Sequence, residues 1–174
     1  MRILAELIHP NVPAVPTGVV HRRAARGIVL REQKILLLYT ERYDDFSLPG
    51  GGVDEGEDLR QGLCRELEEE TGARNVQVLA DFGRVDEKRA HRDPDNNTLH
   101  MQSFVYHCEI DDERGAVKME HYEKANGMRP LWVDIHEALK HNRDVLASAP
   151  SHMGQSIPRE TLLLERIIAE LLES

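Results

Sequence analysis

Residues 51–73 read GGVDEGEDLRQGLCRELEEETGA, and within them Glu69 and Glu70 follow Glu66 by three and four residues. At about 3.6 residues per turn, those separations place the three carboxylates on one face of a helix. Like charges so placed destabilise a helix and resist ionising together. A bound cation removes both penalties. Magnesium is the first candidate, because it takes only oxygen ligands and usually keeps waters while sharing phosphate oxygens with a substrate. The sequence has no EF-hand loop of alternating Asp/Asn and no Cys/His pairing at zinc-finger spacing, so calcium cages and thiolate sites fit less well.

Such a face is useful only if its helix is held. Leu59, Leu63 and Leu67 recur every four residues and form an opposite, apolar face that anchors the helix to a sheet. The pattern predicts a helix over residues 58–71, stopped by Gly72 as a carboxyl-terminal cap. Before it, Pro49 followed by Gly50, Gly51 and Gly52 predicts a loop whose backbone can approach closely. Apolar runs at 27–30 and 35–39 flank a polar turn and predict a hairpin, with a short third strand at 46–48. Further strands are predicted at 76–85 and 98–110, separated by a charged connection at 86–97, and a last strand at 131–135. Asp134 is placed to cap a short helix running through Lys140. Pro158 suits the first turn of a terminal helix that ends near Leu172.

The chain has 174 residues, 40% of them hydrophobic, which suits one core and is short for two. Pro10, Pro13 and Pro16 recur every third residue, so residues 1–20 read as an extended arm or a surface strand with a connector, and residues 21–174 as one domain. The apolar face of the terminal helix reads as core surface and as a homodimer contact. Formal net charge is -9, so a polyanion must be received by local basic groups or metal ions, and long nucleic acid is a poor default partner. Cys64 and Cys108 give no disulfide framework and read as free thiols. The start MRILAELIHPNVP lacks a signal peptide's pattern, and no segment approaches the ~20 apolar residues of a membrane span, so the expectation is a soluble cytoplasmic protein.

The spacing from Gly51 through Glu57, Arg65-Glu66-Leu67, Glu69-Glu70 and Gly72-Ala73 resembles the signature of the Nudix hydrolases, GX5EX7REUXEEXGU. Ala73 is the one departure, because the family usually has a larger aliphatic residue there. The resemblance implies an α/β/α sandwich around a mixed β-sheet, with the motif forming loop, helix and loop. It also implies Mg2+- or Mn2+-supported attack of water on a pyrophosphate phosphorus in a nucleoside diphosphate derivative. Glu66, Glu69 and Glu70 become the metal-ligand candidates, with the Gly50 carbonyl as a further ligand. Cations on phosphate oxygens and water make weakly basic carboxylates sufficient, so Glu66 or Glu69 can take the proton. Coupled titration hides which one does so. In some members the base lies outside the motif, which makes Glu120 and Glu123, before the last strand, candidates. Arg65 has a planar fork suited to organising two carboxylates, with Glu57 and Glu69 available.

Substrate identity lies outside the motif. The proline and tyrosine marks of two subfamilies, roughly fifteen residues downstream, are replaced here by Lys88, Arg89 and Ala90, and no coenzyme A pattern precedes the motif. Nucleoside triphosphates and sugar nucleotides both remain open. Arg22, Arg23 and Arg26, with Lys88, Arg89, His91 and Arg92, are the cations available for phosphate. Tyr39, Tyr43 and Phe46 are candidates for stacking on a base. The competing class is a non-catalytic module on the same scaffold that senses a nucleotide, for which loss of an acid would be tolerable; all three acids are present.

Overall fold

The computed structural model describes residues 1–173. The apolar runs flanking the turn at 32–33 pair as a hairpin, with β2 (Val19–Arg31) and β3 (Lys34–Thr40) meeting at Leu30/Ile35 and Arg31/Lys34. The strands then part. β2 runs parallel to β7 (Asn96–Glu109), which is antiparallel to β6 (Gln77–Asp93), which in turn carries β1 (Ile3–Ile8) in parallel. β3 lies between β4 (Asp45–Ser47) and β8 (Met128–Asp134), antiparallel to both, and the short β5 (Gly50–Gly52) adds to β2. The eight strands form one mixed sheet.

Helix α1 (Leu59–Thr71) covers one face through Leu63 and Leu67, which share a buried cluster with Ala25, Val29, Tyr106 and Cys108. Helices α3 (Ile135–Ser148) and α4 (Ile157–Ile167) cover the other, where Ala138, Leu139, Leu163 and Ile167 bury against Ile28, Leu37, Val85 and Val105. The arrangement is an α/β/α sandwich. The apolar face predicted for the terminal helix is therefore spent inside the chain. A short helix, α2 (His121–Ala125), precedes β8. Among the described residues no helix is long and apolar enough to cross a membrane, and Cys64 and Cys108 are free thiols.

Two predicted boundaries move. The charged stretch 86–97 is not a connection: β6 and β7 run through it and turn only at 94–95, because Glu87 and Arg89 alternate with Asp86 and Lys88 across the sheet and β1 pairs alongside at 84–88. Helix α3 passes Lys140 and continues to Ser148. Its polar middle is not a helix end, since the fully buried Asn142 accepts from Phe46 N at 3.0 Å and donates to Phe46 O at 2.9 Å, closing the edge of β4. Asp134 caps it as predicted, accepting from His136 N and Glu137 N.

A buried polar network joins the sheet to α4. Arg159 reaches Glu87 at 2.6 Å and Glu160 at 2.6 Å, and the same Glu87 takes Arg89 at 2.7 Å. Beside it, Asp45 is 3% exposed and its Oδ2 has no hydrogen-bond partner among the described residues. Burial, then the charges of Glu160 and Asp44, push its carboxyl up from 3.8 to about 6. A raised folded pKa means that the neutral form fits the fold. Its destabilisation is absent below the unfolded value, grows as pH rises through the window between the two values, and is complete above about 6. Asp45→Asn should therefore raise stability by about 2 kcal/mol at pH 8, with the gain shrinking toward pH 4. Urea melts at the two pH values test this; an equal gain at both would remove ionisation as the cause.

Candidate functional site

The site begins with a backbone lane pinned from several directions. Leu48 N donates to Glu160 at 2.8 Å, Gly27 N to Pro49 O at 2.9 Å, and Gly50 N to Glu70 Oε2 at 2.6 Å. Gly50 O accepts from Arg26 Nη1 at 2.6 Å. Gly50 has φ 131°, and a Cβ there would run into the Ala25 carbonyl. Gly51 matters by contact: a Cβ would lie 2.7 Å from Glu66 Oε2, so only a glycine lets that carboxylate rest against β5.

Helix α1 presents the acids to this lane. Asp58 caps its start, accepting from Arg60 N at 2.9 Å and Gln61 N at 3.3 Å. Its end is the left-handed Gly72, with φ 70° and its N–H bonded to Glu68 O. Arg65 clamps Glu57 with two prongs, both 3.1 Å, donates to Glu66 at 2.7 Å, and stands 3.6 Å from Glu69. Among these hydrogen bonds the one to Glu57 contributes most to raising the arginine's pKa, against the opposing effect of burial.

The carboxylates are graded in burial. Glu69 is the open one, Glu66 is half-buried, and Glu70 is only 4% exposed. Burial pushes the Glu70 carboxyl well above its ordinary value; the Gly50 N–H and Arg26 oppose this, while Glu66 and Glu123 add to it. Burial also raises Glu66, opposed by Arg65 and reinforced by Glu69 and Glu123. Glu123 comes from outside the motif. It sits at 4% exposure with its Oε2 accepting from Glu120 N at 2.6 Å, and its charge reaches both Glu66 and Glu70.

Of the acids, Glu66 and Glu120 line a cleft of about 980 Å³ with Gly51, Gly52, Arg65, Arg22 and Arg23, whereas Glu69 lines another cavity, with Lys118. Of the cations named for phosphate, Arg22 and Arg23 line this cleft, but Arg26, Lys88 and Arg89 do not. Arg26 lies largely buried behind Gly50, Lys88 stands exposed on β6 opposite His100, and Arg89 pairs with Glu87 and lines a different cavity. Glu160 was invisible to sequence reasoning, since it looks like an ordinary first-turn acid of α4. Burial of Glu123 had one local signal, the spacing of Glu120 and Glu123 that suits a capping box.

The donor set suits a hard divalent cation. It offers carboxylate and carbonyl oxygen only, and the charge of Glu123 adds to the burial that raises the Glu66 and Glu70 carboxyls. Among the described residues no three acid, His or Cys side chains are gathered closely enough to cage an ion.

A family model, the NUDIX domain, matches residues 20–153. The chain is 40% identical over 76 residues to an RNA pyrophosphohydrolase of Rhizobium meliloti, covering 41% of this chain and 43% of that protein. It is 50% identical over 58 residues to Nudix hydrolase 26, chloroplastic, of Arabidopsis thaliana, covering 32% of this chain and 27% of that protein. The chain thus spans less than half the length of these curated relatives. A solved NUDIX hydrolase from Nitrosomonas europaea superposes with a TM-score of 0.58 at 18% identity, covering 86% of this chain and 90% of that one. With the matched region spanning both the signature residues and the sheet that holds them, the chain belongs to the Nudix family.

Proposed function

We propose that the chain is a metal-dependent pyrophosphohydrolase that cleaves a pyrophosphate bond in a nucleoside diphosphate derivative by attack of water on phosphorus. The observation that carries this reading is the placing of the half-buried Glu66 and the buried Glu70 against the Gly50–Gly52 lane, with the charge of the buried Glu123 bearing on both and Glu66 on the wall of the cleft. Glu66, Glu69 and Glu70 would hold Mg2+ or Mn2+, whose chemistry when bound is to neutralise phosphate charge and acidify water. The Gly50 carbonyl, one of whose lone pairs is engaged by Arg26, keeps a second for the same purpose. Arg65 holds Glu57 and Glu66 in place and does not touch the reacting atoms. We take Glu123 as the base candidate, because its charge reaches Glu66 and Glu70 from a separate element; its Oε2 accepts from Glu120 N and its Oε1 only a long 3.4 Å bond from the Tyr122 hydroxyl. Arg22 and Arg23 are placed to receive phosphate oxygens, and their role replaces that expected of Lys88 and Arg89.

Relatives named RNA pyrophosphohydrolase favour a 5′-phosphorylated RNA end as one substrate. The net charge of -9 makes local capture of that end, not of a long strand, the mode to expect. The test is a panel of 5′-triphosphorylated oligoribonucleotide, nucleoside triphosphates, dinucleoside polyphosphates and nucleotide sugars, each with Mg2+, with Mn2+ and with chelator. Metal-dependent release of phosphate or pyrophosphate from at least one is the expected result. Tight metal-dependent binding across the panel without turnover would replace the enzyme with a nucleotide sensor.

A further inference from the structure

A second cavity, of about 600 Å³, lies outside the cleft and shares no lining residue with it. Its walls come from β6 and β7, from the turn before β4, and from the segment leading into α4. Three basic residues, Arg89, His91 and Arg92, line one side in a chain whose net charge is -9. Arg89 is held upright by its 2.7 Å bond to the buried Glu87, and its Nε is sealed from solvent with no hydrogen-bond partner among the described residues. His91 is oriented by a bond of 2.9 Å between Nδ1 and Asn96 O, which leaves Nε2 uncommitted. Opposite stand Tyr43 and Met153, and Ser156, which begins α4 without a side-chain cap bond.

The lining combines the cations with apolar and aromatic side chains, Tyr43, Leu99 and Met153, and the volume falls within the usual range for small-molecule sites. A ligand matching both carries an anion on a flat apolar body. We propose that this cavity binds a nucleoside monophosphate unit, with its phosphate against Arg89, His91 and Arg92 and its base over Tyr43 and Met153. The unit has two sources, a free mononucleotide or an internal nucleotide of a strand whose 5′ end occupies the cleft. The second source is within reach, because Leu99 of this cavity and Met101 of the cleft are alternate residues of β7, about 7 Å apart on one face. Only that strand arm rests on the proposed function of the cleft.

The test is calorimetric titration of the full chain with adenosine 5′-monophosphate in chelator, so that no turnover enters. Binding should weaken at least tenfold in the double variant His91→Ala, Arg92→Ala and in Tyr43→Ala, and persist in Glu70→Gln. Arg92 is exposed, so its loss should leave the fold intact, as a melt of the double variant checks. A 5′-monophosphorylated dinucleotide that binds at least tenfold more tightly than the mononucleotide, and loses that gain on Arg22→Ala, identifies the strand as the source. Equal binding of the two identifies a free nucleotide. Absence of binding to the unaltered chain, binding indifferent to the His91 and Arg92 changes, or binding lost in Glu70→Gln would each overturn the proposal. Failure of the hydrolase reading would show separately, as absent turnover with this binding intact.

Discussion

Glu70→Gln should lower metal-supported turnover by roughly a thousandfold while leaving the fold as stable as before or more so. The two effects part because the two oxygens of Glu70 do different jobs. Oε2 takes the Gly50 N–H at 2.6 Å, and a glutamine carbonyl can keep that bond. What glutamine removes is a charge buried at 4% exposure and repelled by Glu66 and Glu123, so the fold without metal loses a liability. In the proposed metal site it also removes a carboxylate oxygen that an amide replaces poorly. Initial rates across a magnesium titration, beside thermal melts in chelator, test both halves. Turnover within threefold of the unaltered chain would mean that the motif residues do not form the reacting site. Lost turnover accompanied by a lowered melting temperature would reassign Glu70 as a structural acid.

How much of this was readable from the chain follows the range of each contact. Helix α1 was legible because the Leu63 and Leu67 stripe and the left-handed Gly72 are local signals, with Asp58, read as its first residue, standing instead as its cap. The sandwich followed from the resemblance that the motif carries. Charges that face inward were not legible. Glu87, Arg159 and Glu160 read as solvated residues, and only the folded chain shows that Glu87 of β6 meets Arg159 of α4, 72 residues away. Arg26 failed for the same reason: a cation near a phosphate motif suggests phosphate, yet it is committed to Gly50 O from behind. Burial of Glu123 depends on where α2 is laid across the acids, and a loop's path is poorly encoded in its own residues.

Arg159→Met should cost about 3–5 kcal/mol of stability at pH 8. Arg159 is 3% exposed, and its removal strands Glu87, at 0%, and Glu160, at 1%, without their main counterion. Burial alone would raise the Glu87 carboxyl, but Arg159 first and Arg89 second outweigh it and hold it at about 2. With the folded value below the ordinary 4.5, this contribution is whole above 4.5 and fades as pH falls toward 2. Without Arg159 burial prevails and the sign reverses, so the deficit of the variant should be largest at pH 8 and shrink at pH 4. Adding Glu87→Gln should recover a large part of the loss, because the cost lies in the unpaired charge and not in missing volume. Urea unfolding of the single and double variants at both pH values decides the matter, and a deficit that ignores pH would assign the loss to packing. The consequence reaches the site: Glu160 also holds Leu48 N at 2.8 Å, two residues before Gly50. Helix α4, which lies beyond the matched residues 20–153, thereby fixes the lane on which the acids of α1 converge.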